Sequence, residues 1–458
     1  MCSLGAVYNW DGSSSLKSLY VLASAQQNRG NESTGFGLYS DGIKIVKEMG
    51  RPDEVFKRVL EIGVNGDRGT SQTRYSTRGR SDIRHSQPFF INEGIGLVIN
   101  HNGTIANADE LRKKHPELKC KTRSDTEIAG RIISSEGDVL DGLERLYEEA
   151  IGSYNLVIMD ECGDIYSYRD ERGFHPLWWS LENDSFLVMS EDMAANALLR
   201  KSREEFKPAE LLKVGENGIE SYEIGSQDLA ECFFEVNYFQ LPGSTHRGKE
   251  NMERRMDIGR VLGEEEKIDG IVVPVLDSGK YYAEGFAEAS GLEYIEALHR
   301  NRDYRVYMDA YERSGDKYKL SREEKAALKH ITIPSKIKGK KVILLDDSIV
   351  RGSTSRVITK NLRKLGAEEV HWRIGSPPIR YGCIYGLDHS VRKKLVAAPF
   401  EKDIEEEVAR IIGADSVRYI SIDDLKKCLD CRGDHCYACL TGEYPTEVPE
   451  EMRSAIEI

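Results

Sequence analysis

The sequence predicts a two-part chain, α+β in its first half and α/β with a parallel sheet in its second. Its 458 residues exceed the length at which a single core stops growing, and 40% hydrophobic residues can fill more than one. The first ~230 residues mix short β-like runs with Gly/Asn turns and amphipathic helices. From about Ile268 the rhythm changes to buried strand, turn and helix, the pattern of a parallel sheet. Pro242-Gly243-Ser244 interrupts the pattern between the two, so the boundary falls within residues 225 to 245 and the parts are set at 2–230 and 231–458.

In chain order, Gly96-Leu97-Val98-Ile99 and Asn155-Leu156-Val157-Ile158-Met159 are expected as strands of the first part, with Ala108 to Lys114 as an amphipathic helix. In the second part Gly270 to Leu276 and Lys341 to Leu345 are apolar runs bounded by turn residues, which suits buried strands. Helices are expected over Tyr281 to Ser290 and Thr354 to Leu365. Asp303 to Lys329 is polar and is expected to form a loop plus helix.

Charge and composition exclude several classes of function. Lys and Arg total 64 against 77 Asp and Glu, a net charge of -13, and no basic run forms a stripe for nucleic acid. No apolar stretch approaches the ~20 residues that span a bilayer, and the start lacks a charged segment followed by an apolar one. The expectation is a cytoplasmic protein with neither a polynucleotide nor a membrane partner. In that reducing compartment its nine cysteines point to metal binding or catalysis more than to disulfides.

The most informative stretch is Val342-Ile-Leu-Leu-Asp346-Asp347-Ser348-Ile-Val-Arg351-Gly352-Ser353-Thr354. An apolar strand runs into paired acids, then a Gly/Ser/Thr turn, then a helix. Backbone N–H groups of such a turn can face a phosphate at the helix N-terminus, and the acids can accept hydrogen bonds from vicinal hydroxyls. The plainer alternative is a βα turn whose acids and serines cap the helix. A second turn of the same make, Asp277-Ser278-Gly279 after Pro274-Val275-Leu276, could hold a second phosphate.

Cys2 would carry a thiol and a free α-amine on one residue once Met1 is removed. With an amine near ~7.7 to 8.0 and a thiol near ~8.5, such a residue is poised to attack an amide and to supply its own base. Further segments offer what amide hydrolysis needs. Asn102 and Gly103 of His101-Asn102-Gly103-Thr104 can donate to an oxyanion, a contact worth ~3 to 4 kcal/mol per donor. Arg74 can clamp an α-carboxylate and Asp125 an α-ammonium. Taken singly, Asn-Gly is a hairpin turn, Arg74 a surface ion pair and Asp125 a helix cap.

These motifs resemble known families. The Asp346 to Thr354 stretch resembles the phosphoribosyl diphosphate (PRPP) motif of type I phosphoribosyltransferases. The resemblance implies that Asp346 and Asp347 hold the ribose 2- and 3-hydroxyls, and that Ser348, Arg351, Gly352, Ser353 and Thr354 hold the 5-phosphate. It further implies pyrophosphate on Asp277, Ser278 and Gly279, Mg²⁺ on Asp346 and Asp347, and a closing loop that starts at Arg302. The segments around Cys2, Asn28-Arg29-Gly30, Arg74, Asn102 and Asp125 resemble the N-terminal-nucleophile glutamine amidotransferase domain over roughly residues 2 to 225. An αββα sandwich is implied there, with Cys2 as nucleophile, Arg29 and Gly30 at the edge of the site, Arg74 and Asp125 on glutamine, and Asn102 with Gly103 as oxyanion hole. Ser3 and Gln72 stand where that family usually has Gly and His, and Leu276 where the phosphoribosyltransferase pattern has Pro.

The tail Cys436-Tyr437-Ala438-Cys439-Leu440-Thr441-Gly442 resembles the iron-sulfur class of amidophosphoribosyltransferases. It implies a [4Fe-4S] cluster on Cys232, Cys383, Cys436 and Cys439, while a zinc site made of Cys428, Cys431, Cys436 and Cys439 is the rival. The activity implied is release of ammonia from glutamine and its transfer to C1 of PRPP, giving 5-phosphoribosylamine, pyrophosphate and glutamate, the first step of purine synthesis. Purine-nucleotide inhibitors and a homo-oligomer, a tetramer, come with the same resemblance. A transferase for another acceptor, or a paralogue that binds PRPP or nucleotide as a regulator, are the alternatives.

Overall fold

The computed structural model describes residues 2–75, 82–301, 330–387, 391–430 and 433–457. The expectations for Arg302, for Cys431 and for the polar stretch 303–329 lie outside those residues.

Strand Ser3–Asn9 shows how the first part is layered. Successive side chains point to opposite faces. Leu4, Ala6 and Tyr8 enter a core with Val98, Val157, Met159, Phe186 and Val188. Val7 enters another with Leu19 and Leu22 of helix Leu16–Ala25 and Val55 and Val59 of helix Pro52–Ile62. The strand sits at the centre of a seven-stranded antiparallel sheet in the order Glu204–Glu205, Trp178–Glu182, Ser185–Met189, Ser3–Asn9, Arg68–Arg74, Ser33–Tyr39, Ile43–Met49.

A six-stranded sheet lies against it, in the order Gly218–Glu223, Glu210–Gly215, Ile165–Tyr168, Gly152–Asp160, Leu97–Ile105, Phe89–Ile91. On its far face Leu97, Ile99, Leu156 and Ile158 pack on Ile128 and Ile132 of helix Asp125–Ser134 and on Leu143 and Leu146 of helix Val139–Glu149. Helix, sheet, sheet, helix is the expected αββα sandwich. The two central strands extend beyond their apolar cores, because His101, Asn102 and Gly103 continue the ladder opposite Leu156, Asn155 and Tyr154. Asn102-Gly103 is therefore strand, not a hairpin turn.

The second part holds a five-stranded parallel sheet in the order Glu293–Tyr294, Ile271–Pro274, Lys341–Asp346, Glu369–Ile374, Ser416–Tyr419. Both faces are covered, which explains the unbroken apolar runs. Val272, Ile343 and Leu345 meet Ile258 and Leu262 of helix Asn251–Glu264 and Tyr282 and Phe286 of helix Lys280–Ser290. Val273, Val342 and Leu344 meet Ile358 and Leu362 of helix Ser353–Lys364 and Val408 and Ile412 of helix Ile404–Ile412. The first of these cores also takes in Ala106 and Phe174 from the sandwich and Cys232, Cys383, Cys436 and Cys439. It is the seam between the parts. Glu231–Cys232 closes that seam by pairing in parallel with His435–Cys436 from the tail.

Candidate active sites and metal centre

Strand Ser3–Asn9 begins directly after Cys2, so the sheet fixes where that residue sits. Its backbone N–H donates to Asn102 Oδ1 at 3.0 Å, and its Sγ lies 3.8 Å from the Tyr75 carbonyl. Asn102 Nδ2 is buried with no hydrogen-bond partner among the described residues. An orphaned buried donor costs ~1 to 3 kcal/mol. Beside a nucleophile it is also what a developing oxyanion requires. Gly103 follows at φ +148°, and a Cβ there would stand 2.1 Å from the Ser153 carbonyl, so only glycine fits this close approach.

Asp125 opens its helix beneath the same strand, accepting from the Ile105 N–H at 3.1 Å and the Thr126 N–H at 3.0 Å. Arg74 is buried at the end of its strand, and Gly30 packs on its backbone, where a Cβ would be 2.5 Å from the Arg74 carbonyl carbon. Ser3 Oγ is paired with Thr73 Oγ1 at 2.7 Å, and Gln72 Nε2 donates to the His101 carbonyl at 2.7 Å. Both departures are accommodated inside the sheet.

Arg29, expected at the edge of the site, is buried beneath it. Its Nε donates to the Cys2 carbonyl at 3.0 Å, Nη1 to Glu191 at 3.1 Å and to Glu235 at 3.0 Å, and Nη2 to Glu235 at 2.6 Å. Burial works to raise the Glu235 carboxyl, but the Arg29 guanidinium and the His175 hydrogen bond outweigh it and hold it at about 2. His175 joins Glu235 at 3.0 Å to the Tyr385 carbonyl at 2.9 Å, and Ser153 Oγ donates to that same carbonyl at 2.7 Å. A buried polar chain thus runs under Cys2 to the segment after Cys383. Two residues past Glu235, Asn237 Nδ2 donates to the Asp347 carbonyl at 3.3 Å.

The second site is built at the carboxyl ends of two adjacent parallel strands, where ligand crevices of α/β sheets lie. Asp346 ends its strand. Ser278 Oγ donates to Asp346 Oδ1 at 2.7 Å, bringing the turn of Asp277, Ser278 and Gly279 against the paired acids. Gly279 lies so close that a Cβ would be 2.0 Å from the Leu345 carbonyl. The Asp347 N–H and Ser348 Oγ complete the local bonds, to Asp346 Oδ1 at 3.0 Å and Asp347 Oδ2 at 2.5 Å. Burial and then the neighbouring Asp347 charge push the Asp346 carboxyl well above the carboxylate range; burial raises Asp347 too. Two acids so raised suit a bound divalent cation or sugar hydroxyls. Gly352 adopts φ +69° to start helix Ser353–Lys364, with Arg351 and Ser353 exposed and Thr354 half-buried at its mouth. Asp277 pairs with Arg300.

Cys232, Cys383, Cys436 and Cys439 are all buried in the seam. Burial raises all four thiols, and neighbouring thiols raise Cys232, Cys436 and Cys439 further, Cys436 to about 12. Yet among the described residues no three of these sulfurs lie within 4.8 Å of one another. One zinc with ~2.3 Å bonds would draw four sulfurs to ~3.8 Å separations, so a multi-iron cluster suits this donor set better. Cys428 faces other company. Burial, followed by Asp257 and Asp424, pushes its thiol up to about 12.

Sequence reasoning missed Glu235, His175, Ser153 and Tyr385. None belongs to a phosphate or nucleophile motif; the one available signal was position, since Glu235 follows Cys232 closely and Tyr385 follows Cys383.

Comparisons with known proteins match the chain over nearly its whole length. Residues 73–197 match the model of the glutamine amidotransferase domain. An amidophosphoribosyltransferase of Methanocaldococcus jannaschii is 34% identical over 478 residues, covering 98% of each chain. That of Bacillus subtilis is 32% identical over 441 residues, covering 93% of this chain and 90% of its own. A solved glutamine PRPP amidotransferase from B. subtilis, complexed with ADP and GMP, superposes with a TM-score of 0.85 at 30% identity over 98% of both chains. A structure described as the allosteric regulatory enzyme of purine biosynthesis gives 0.88 at 28% identity, covering 99% of this chain and 98% of that one.

Proposed function

The chain belongs to the amidophosphoribosyltransferase family, and from that premise we propose how its own residues divide the work of glutamine-dependent PRPP amination in purine biosynthesis. Cys2 Sγ attacks the glutamine side-chain amide while the Cys2 α-amine, held by Asn102 Oδ1, takes the thiol proton and passes it to the departing ammonia. The oxyanion forms against Asn102 Nδ2 and the Gly103 N–H. Arg74 and Asp125 hold the glutamine carboxylate and ammonium. Arg29 and Gly30 act from below, Arg29 on the Cys2 carbonyl and Gly30 on the Arg74 backbone. Water then releases glutamate.

In the second site Asp346 and Asp347 accept from the ribose hydroxyls. Ser348, Arg351, Gly352, Ser353 and Thr354 receive the 5-phosphate, and Asp277, Ser278 and Gly279 the pyrophosphate. Ammonia attacks C1 as pyrophosphate leaves. Since the transition state is cationic at C1, the acids position and stabilise charge. Mg²⁺ on Asp346 and Asp347 would neutralise diphosphate charge, and a [4Fe-4S] cluster on Cys232, Cys383, Cys436 and Cys439 would tie the tail to the seam. Purine nucleotides as inhibitors, a homotetramer and a cytoplasmic location complete the proposal.

The observation that supports this division best is the placement of Asn102, with one amide atom on the Cys2 backbone nitrogen, which becomes the α-amine once Met1 is removed, and the other an orphaned donor. The test is glutamate release from glutamine with and without PRPP. Strong stimulation is expected; release indifferent to PRPP, or no pyrophosphate formed, would reject the coupling.

A further inference from the structure

The short ribbon at the seam has two faces. Glu231 stands opposite His435 and Cys232 opposite Cys436. Side chains alternate along a strand, so the ribbon turns its two thiols one way and its carboxylate and imidazole the other. On that other face His246, from the hairpin Thr245–His246 with Lys249–Glu250, completes a triangle. Its Nε2 lies 3.3 Å from His435 Nε2, and Glu231 Oε2 lies 3.8 Å from each. Among the described residues this is the group of three or more metal-ligating side chains whose donor atoms fall within 4.8 Å of one another.

The spacing is that of a coordination shell. A tetrahedral ion with bonds of ~2.0 to 2.1 Å sets its ligands ~3.3 Å apart, which the two imidazoles already are, and Glu231 need close by only ~0.5 Å. His435 is oriented for the task. Its Nδ1 is 3.0 Å from Asp434 Oδ1, which places the ring proton there and turns the Nε2 lone pair into the triangle, the usual support of a metal-bound histidine. Arg254 fixes the hairpin by donating to the His246 carbonyl at 3.2 and 2.8 Å.

Guanidiniums and carboxylates pair off around the two imidazoles. Glu231 Oε2 also accepts from Arg247 at 2.9 Å, so an entering cation displaces that guanidinium toward Asp434, 2.7 Å from it, while Arg169, 3.4 Å from Glu231 Oε1, is paired with Glu205 at 3.0 Å. A cavity of about 10 Å³ is bordered by Glu231 and His246.

We propose that Glu231, His246 and His435 form a second metal site, taking one zinc-type divalent cation through nitrogen and oxygen alone, on the opposite face of the ribbon from the four thiols. The competing account is a plain hydrogen bond between two neutral imidazoles. Zinc separates the two. Anaerobically purified full-length protein is given one equivalent of Zn²⁺, desalted, and measured for metal content and zinc X-ray absorption. About one zinc per chain with only nitrogen and oxygen neighbours is expected. His246→Gln should retain at least tenfold less zinc with iron unchanged, and Asp434→Asn should weaken zinc binding about 10- to 100-fold. No retained zinc in the unmutated protein, or zinc with sulfur neighbours, would overturn the site whatever the variants do.

Discussion

Glu235 and Arg29 meet at 2.6 Å with both side chains shut away from solvent, and the same guanidinium holds the carbonyl of Cys2. The pair therefore anchors the backbone of Cys2, the residue proposed as nucleophile. Glu235 also lies just after Cys232 and just before Asn237, whose amide reaches Asp347. One short segment touches the supports of both sites.

Removing one partner of such a pair strands a buried charge, so Glu235→Ala should cost about 3 to 5 kcal/mol, read by denaturant unfolding. Glu235→Gln is the gentler probe. It should lower glutamine-dependent synthesis on the order of 10²-fold by letting Cys2 shift, while ammonia-dependent synthesis survives. The carboxyl is held at about 2 against an ordinary 4.5, so its contribution is complete above about 4.5 and fades as pH falls toward 2. A wild-type and Glu235→Gln pair with the same acid unfolding profile would deny the pair this role.

Asn102 offers a cleaner separation of binding from chemistry. Asn102→Ala should reduce glutaminase turnover about 10²- to 10³-fold with ammonia-dependent activity intact. Asn102→Asp keeps the oxygen that accepts from the Cys2 amine but replaces the orphaned donor with an acceptor. It should therefore be at least as impaired in kcat as the alanine variant. Near-normal turnover in the aspartate variant would mean that Nδ2 does not meet the oxyanion.

What the sequence revealed and what it hid follow from how far apart the partners lie. The turn from Leu345 to Thr354 was legible because strand end, acids, glycine and helix start are consecutive, and local sterics place them. The four layers of the sandwich were read from resemblance, since strands such as Leu97–Ile105 hide half their length behind polar residues. Arg29 was named at the edge of the site, but its ion pairs were not foreseen. Its burial depends on Glu191 and Glu235, which only the finished fold brings to it. The Glu231 and His246 pairing with His435 was invisible for the same reason, because no local spacing announces a ribbon formed by two distant dipeptides.

The raised acids make a prediction with the opposite sign. Asp346 and Asp347 are lifted above their unfolded values, so folding favours their neutral forms. Their penalty is absent at low pH and grows as pH rises through the folded values. Asp346→Asn should therefore raise the Tm of ligand-free protein, by more near pH 8 than near pH 5, while abolishing use of PRPP with either glutamine or ammonia. Added Mg²⁺ with PRPP should stabilise the wild type and not the variant. A variant that melts lower than wild type at every pH would show the acids to be structurally favourable as they stand.

The seam gives the last test. Four buried thiols with raised values release their protons only to a strong cationic partner, so assembly should be proton-coupled and should add to folding stability. Anaerobically purified protein should be brown, with about four iron and four sulfide per chain. Cys383→Ser should lose colour and folded yield together, because that residue holds the segment whose Tyr385 carbonyl receives His175 and Ser153. Cys428→Ser should be nearly silent, since Cys428 faces Asp257 and Asp424. A colourless protein whose zinc carries sulfur neighbours, lost on replacing Cys428 and kept on replacing Cys232, would move the metal to the tail alone and leave the seam to its apolar contacts.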